Sequence, residues 1–248
     1  MKRCYLGIDV GGSKIRGVLW DGRRVVAADE RPTPKTRTPF VRAISATAAT
    51  LSGRARGRIR AVGIGAAGVI RGTTIASSRN ISYLRHFDFR PLFPGLPIRV
   101  DNDARAFARA EWRFGAGRGA RRILAVTLGT GIGRAYGARG RIIRAKRLEY
   151  PEPWERRYQK IRDGGNDRAL AAFLGEKIAA IAGRYPAERR VLGGGVLVRR
   201  GFSRELRAEP AAHVDGLHLG EAHRRNTPPH AADTHQVGIV QHDDFAIG

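Results

Sequence analysis

Apolar and polar positions divide this chain into glycine-punctuated strands separated by a few helices. Residues 4–10 (Cys4-Tyr5-Leu6-Gly7-Ile8-Asp9-Val10) read as a strand. Gly11-Gly12 reads as a tight turn, and residues 13–20 as the returning strand of a hairpin. Gly22 turns the chain again before Val25-Val26-Ala27-Ala28. Phe40, Val41, Ile44, Ala48 and Leu51 have the spacing of a helix over residues 39–54. Residues 59–65 form another strand, which runs into the small residues Ala66-Ala67-Gly68, and Ser77-Ser78-Arg79-Asn80 is a polar loop. A short apolar run over residues 96–100 gives way to a helical pattern from Ala104 to about Trp112. Residues 122–128 are almost continuously apolar, which predicts a strand buried on both faces.

The later chain continues in the same style. Gly129-Thr130-Gly131-Ile132-Gly133 follows the apolar strand, and the next segment reads as a strand around Ile142-Ile143. A dinucleotide fingerprint requires a helix after its glycine loop, so this loop is better suited to a hairpin whose N–H groups cradle a phosphate. Residues 147–165 show no period and are expected to be irregular and polar. Leu170, Phe173, Leu174, Ile178 and Ile181 predict a helix over roughly residues 167–185, ended by Pro186. Residues 190–192 are a short strand entering Gly193-Gly194-Gly195, which is either a helix-capping turn or a place where a flat nucleoside can approach the backbone closely.

Composition narrows the class. The chain has 248 residues, 42% of them hydrophobic, which suits one large domain or two lobes. No run of about 18 apolar residues is present, so no membrane span is expected. The strand pattern starts at about residue 4, with no signal peptide before it, and Cys4 is the one cysteine, which excludes an internal disulfide. A cytoplasmic location is the expectation. The formal charge is +24, but only six of the 46 basic residues are lysine, and the arginines are scattered. No aromatic ladder accompanies them, so no specific nucleic-acid partner is expected. A GC-rich genome or heat adaptation through ion pairs accounts for such a composition. The last stretch differs: six of the seven histidines lie after residue 210, and their spacing places no two ligands on one helical face.

The chemistry concentrates at strand ends. Val100-Asp101-Asn102-Asp103-Ala104 reads as a strand turning into a helix N-terminus, where ligands of open α/β sheets bind. Asp103 can act as a base toward a hydroxyl beside Asn102; alternatively, Asp101 and Asp103 are only helix caps. Asp9, at the end of the first strand, is suited to hydrated Mg²⁺, directly or through water. Gly11, Gly12, Ser13 and Lys14 can receive a phosphate, or be an ordinary hairpin turn.

Together these motifs resemble the ROK family of sugar kinases, within the actin/hexokinase/heat-shock-ATPase superfamily. The resemblance rests on Asp9-Val10-Gly11-Gly12-Ser13-Lys14, Gly63-Ile64-Gly65-Ala66-Ala67-Gly68, Asn102-Asp103-Ala104 with Glu111 and Phe114-Gly115-Ala116-Gly117, Leu128-Gly129-Thr130-Gly131-Ile132-Gly133 and Leu192-Gly193-Gly194-Gly195-Val196. It implies an α/β fold of two ribonuclease-H-like lobes with a cleft, divided as residues 1–112 and 113–248. It implies ATP-dependent phosphorylation of a hexose or amino-hexose, with Asp103 as general base and Mg²⁺ near Asp9. Gly65, Asn80, Asn102 and Asp103 would then meet the sugar. Gly11, Gly12, Ser13, Lys14, Gly129, Thr130, Gly131, Gly133, Gly193, Gly194 and Gly195 would meet the nucleotide. Counting from Gly133, Glu152 stands where the family has its first sugar-binding glutamate, and Glu155 where it has a histidine. The family's cysteine-rich segment is absent, so no structural zinc is expected. A homodimer is the family's expectation. The alternatives are a noncatalytic sugar- or nucleotide-responsive regulator, whose helix-turn-helix extension is not seen ahead of the first strand, and a decayed kinase.

Overall fold

The structure, a computed structural model, describes residues 3–209 and 217–219. The histidine-bearing stretch after residue 210 otherwise lies outside the described residues. The chain divides into two compact units, with the break between Ala110 and Glu111.

The first unit begins with strands β1 (Arg3–Val10), β2 (Lys14–Trp20) and β3 (Val25–Pro32), an antiparallel meander. Helix α1 (Arg37–Gly53) follows, then β4 (Arg58–Ala66). Three short strands, β5 (Val69–Arg71), β6 (Thr74–Ser77) and β7 (Phe87–Asp88), make a separate small sheet. Strand β8 (Ile98–Asn102) then leads directly into helix α2 (Asp103–Phe114). The main sheet has the order β3-β2-β1-β4-β8, and β4 and β8 run parallel to β1. Leu6, Ile8 and Val10 alternate inward on β1, and α1 covers them with Phe40, Ile44 and Leu51. Those three helical residues are fully buried. Phe40 also meets Phe87 edge to face at 5.5 Å, which ties the small sheet to the same core.

The second unit repeats this plan. Strands β9 (Arg122–Leu128), β10 (Ile132–Ala138) and β11 (Arg141–Ile143) form the antiparallel meander. Helices α3 (Lys146–Glu149), α4 (Glu155–Asp163) and α5 (Asp167–Arg184) follow. Strand β12 (Arg189–Gly193), helix α6 (Phe202–Ala208) and strand β13 (Leu217–Leu219) complete it. The sheet order is β11-β10-β9-β12-β13, with β12 parallel to β9 and β13 parallel to β12. Helix α5 buries all five of the apolar positions that predicted it. Asn166 starts that helix, its side chain accepting the Ala169 N–H at 2.9 Å.

The expectation of an irregular stretch over residues 147–165 is corrected, because the chain there forms α3 and α4. The inward face of α4 is made by Glu155 and Tyr158, both buried, so no apolar stripe marks it. Among the described residues, no helix is long and apolar enough to cross a membrane.

Candidate active site

Parallel pairing of β1, β4 and β8 brings their carboxyl ends together. Asp9 lies opposite Gly65, and Gly65 opposite Asp101, so the candidate residues stand in one row across the sheet. A methyl group built on Gly65 would stand 3.7 Å from Asp9 Oδ1 and 3.7 Å from the Asp103 Cα. Gly65 is therefore the strip of bare backbone over which the two carboxyls approach each other.

The three aspartates have different employment. Asp101 accepts from the guanidinium groups of both Arg105 and Arg109 on α2. Burial pushes its proton affinity upward, but those two arginines outweigh it and hold the carboxyl below the usual range. Asn102, not an aspartate, caps α2: its Oδ1 accepts the Arg105 N–H at 3.2 Å, and its Nδ2 donates to the Gly68 carbonyl at 3.0 Å. The cap reading of Asp101 and Asp103 thus gives way. Burial raises the Asp103 pKa, although the carboxyl accepts the adjacent Ala104 N–H at 2.9 Å, its own N–H and Asn102, and Arg105 lies near. Asp9 accepts from no described side chain, and burial followed by the Asp103 charge pushes it up to about 8. Two half-buried carboxyls that face each other without a bonded cation are a donor set that fits a hydrated divalent cation.

The first glycine loop joins β1 to β2 beside Asp9. Its Gly11 N–H donates to the Lys14 carbonyl at 2.9 Å. Thr33 holds the loop from behind: its hydroxyl donates to the Gly11 carbonyl at 2.8 Å and its N–H to the Ser13 carbonyl at 2.9 Å. Asn80 abuts the loop, its Cβ 3.0 Å from where a Gly12 side chain would begin. The Lys14 ammonium is drawn to Glu30 on β3, together with Arg16.

In the second unit, residues 129–131 connect β9 to β10, and the Gly129 N–H donates to the Gly131 carbonyl at 3.0 Å. Gly194 packs against the base of this loop. Its φ is 99°, and a Cβ there would fall 2.4 Å from the Leu128 carbonyl oxygen, so only glycine fits. Gly193 ends β12, and Gly195 opens a short 3₁₀ turn, Gly195–Val198. Glu152 and Glu155, expected to meet a sugar, lie beside Arg134. The Arg134 guanidinium is 3.1 Å from Glu155 Oε1 and 3.6 Å from Glu152 Oε1, and it is buried with Glu155. Glu152 also lies 3.7 Å from Arg184. Glu111 is fully buried and accepts the Ala116 N–H at 2.8 Å, which folds the turn after α2.

Sequence reasoning missed Thr33, Arg134, Tyr158 and Arg162. Only the position of Thr33 between two prolines, Pro32 and Pro34, offered a signal.

The ROK family model matches residues 5–147, more than half of the chain. The chain belongs to the ROK family. The matched ROK region contains the first glycine loop, Gly65, Asn102, Asp103 and the second glycine loop. Helix α4 and the Gly193-Gly194-Gly195 turn lie outside it. A ROK relative, a glucokinase of Streptomyces coelicolor, is 38% identical over 137 residues, 52% of this chain and 41% of that protein. The match therefore spans less than half of the relative's length. Among solved structures, the inorganic polyphosphate/ATP-glucomannokinase from Arthrobacter aligns with a TM-score of 0.77 and 25% identity, over 95% of this chain and 96% of that one. A ROK glucokinase from Streptomyces griseus, solved with glucose and AMPPNP, aligns with a TM-score of 0.73 and 24% identity, over 95% and 97%. These alignments identify the fold as the two-lobed actin-like ATPase type.

Proposed function

We propose that this chain phosphorylates a hexose or amino-hexose hydroxyl with ATP, with Asp103 as the general base. The observation that carries the reading is the contrast between Asp101 and Asp103. Asp101 is neutralised by two arginines, whereas Asp103, two residues on, has no bonded cation and a raised proton affinity. A carboxylate in that state takes a hydroxyl proton better than an ordinary one does. The glucokinase name of the relative supports the sugar, and the ATP in the Arthrobacter enzyme's name supports the donor.

In this reading Asp103 accepts the proton as the hydroxyl oxygen bonds to the γ-phosphorus, and the bond from that phosphorus to the β–γ bridging oxygen breaks, releasing ADP. Asn102, fixed by its two backbone bonds, sits beside the acceptor with Gly65 and Asn80. Gly11, Gly12 and Ser13 in the first unit, and Gly129, Thr130, Gly131, Gly133, Gly193, Gly194 and Gly195 in the second, are the nucleotide contacts. Glu152 and Glu155, held by Arg134, would meet the sugar, and Lys14, paired with Glu30, the nucleotide. Asp9, with Asp103 nearby, would hold Mg²⁺, directly or through water. Bound there, Mg²⁺ would neutralise phosphate charge, the main need of phosphoryl transfer besides positioning. A cytoplasmic location fits such a reaction.

The test is sugar-dependent ADP release with Mg-ATP over a panel of hexoses and amino-hexoses, comparing the parent with Asp103→Ala. The variant is expected to bind ATP normally and to lose roughly 10²- to 10⁴-fold in turnover. Sugar phosphorylation by Asp103→Ala at near the parent rate would remove the assignment.

A further inference from the structure

Helix α4 holds the second glycine loop by its carbonyl groups. The Gly129 carbonyl accepts from the Tyr158 hydroxyl at 2.7 Å and from Arg162 Nη1 at 2.8 Å. The Thr130 carbonyl accepts from the same Nη1 at 2.6 Å and from Gln159 Nε2 at 3.1 Å. So two successive carbonyls are drawn toward α4 by three side chains within five residues of one another. In a trans peptide the N–H points opposite to the C=O across the same plane. The partners of those carbonyls are the N–H groups of Thr130 and Gly131, and both are turned away from α4. Successive N–H groups on one side of a loop form an anion-binding concavity.

The donors themselves are anchored. Tyr158 is fully buried, and burial pushes its hydroxyl up to about 12, so it remains a donor at any working pH. The Arg162 guanidinium is closed on its other edge by Asp163. The Arg162 carbonyl accepts from Arg199, which also pairs with Asp167 at the start of α5. A Cβ built at Gly129 meets nothing within 4 Å beyond its chain neighbours, so the loop backbone is open to a ligand there.

We propose that Tyr158, Gln159 and Arg162 of helix α4 are positioning residues that aim the Thr130 and Gly131 N–H groups at the phosphates of the nucleotide. The inference rests on the reading of residues 129–131 as a phosphate loop. It assigns this role to a helix beyond the ROK-matched region, where the sequence shows only a basic, aperiodic stretch.

The experiment measures ATP and adenosine affinity of the full chain by calorimetry, and KM for ATP and for glucose by ADP release, in Tyr158→Phe, Arg162→Gln and Arg162→Lys. Tyr158→Phe changes no charge, so any loss of phosphate affinity must come through the aim of the loop. It is expected to weaken ATP binding about threefold to tenfold and leave adenosine binding unchanged. Arg162→Gln should weaken ATP at least tenfold, with KM for glucose changed less than about twofold. Arg162→Lys keeps the charge but loses the two-carbonyl reach, and should recover only part of that loss. Variants that retain the parent circular dichroism and bind ATP as the parent does would overturn the proposal. So would equal losses for ATP and adenosine, which indicate a general collapse of the unit. A parent that binds ATP but phosphorylates no sugar would sink the kinase reading alone, with the positioning role then judged on affinity. A parent that binds no nucleotide would overturn both.

Discussion

Asp9 and Asp101 carry the same functional group on strand ends of one sheet, and their surroundings push their protons in opposite directions. Asp101 sits against two guanidinium groups, while Asp9 is desolvated and faces the Asp103 carboxyl, which together outweigh the Arg16 charge. For Asp9 the folded state binds the proton more tightly than the unfolded chain, whose carboxyl titrates near 3.8. The folded protein thus has its full stability from this group below about pH 4, and loses it progressively as the pH rises toward 8. Asp9→Asn removes that titration. In chelator-treated protein, the variant is expected to be more stable than the parent by on the order of a few kcal/mol at pH 8 and about equal to it near pH 4. Urea denaturation at the two pH values measures the difference, and a pH-independent difference would contradict the assigned environment. Burial raises the Asp103 carboxyl in the same direction, so the remaining slope in Asp9→Asn reports that group.

At the scale of elements, strands and glycine loops were legible in the sequence, whereas braces were not. The hairpin around Gly11 and Gly12, the apolar β9 and the five-residue stripe of α5 follow from period and turn chemistry alone. Helix α4 was opaque because six of its nine residues are charged, and its buried face is a glutamate and a tyrosine. The small sheet of β5, β6 and β7 was opaque because strands of two to four residues show no period. The pairing of Glu155 with Arg134, a strand residue twenty-one positions earlier, was opaque because counting along a motif carries no information about it. That pair makes a firm prediction. Arg134→Met leaves a buried carboxylate without its main partner, and should cost about 3–5 kcal/mol in chemical denaturation. Adding Glu155→Leu should restore most of the loss, and failure to do so would place the cost in packing of Arg134 on Trp154 rather than in charge.

For the whole molecule, charge is the dominant property. The acidic groups of the described units are largely engaged, as Glu30, Asp101, Glu152, Glu155 and Asp167 illustrate. The surplus of arginine therefore reaches solvent as uncompensated positive charge. The protein is expected to bind heparin or long polyphosphate at low salt without sequence or chain preference, and to release it steeply as salt rises. A plot of log affinity against log salt should be linear with a slope of several. A slope near zero would mean that the surplus is neutralised in the folded protein. The two units also share one plan, an antiparallel meander followed by parallel strands, and each carries its glycine loop at the first hairpin of that plan.

The Thr33 contacts give this repetition a practical meaning. The first loop, like the second, owes its direction to a residue well outside itself, reached only because β3 returns alongside β2. The letters of such a motif are consequently not portable. Residues 9–14 transplanted to the tip of another hairpin would keep every glycine and lose the orientation of their peptides. Conversely, a chain that has drifted in its loop letters can keep the function while its brace persists. A family's signature, seen this way, is spelled partly in residues that no signature contains.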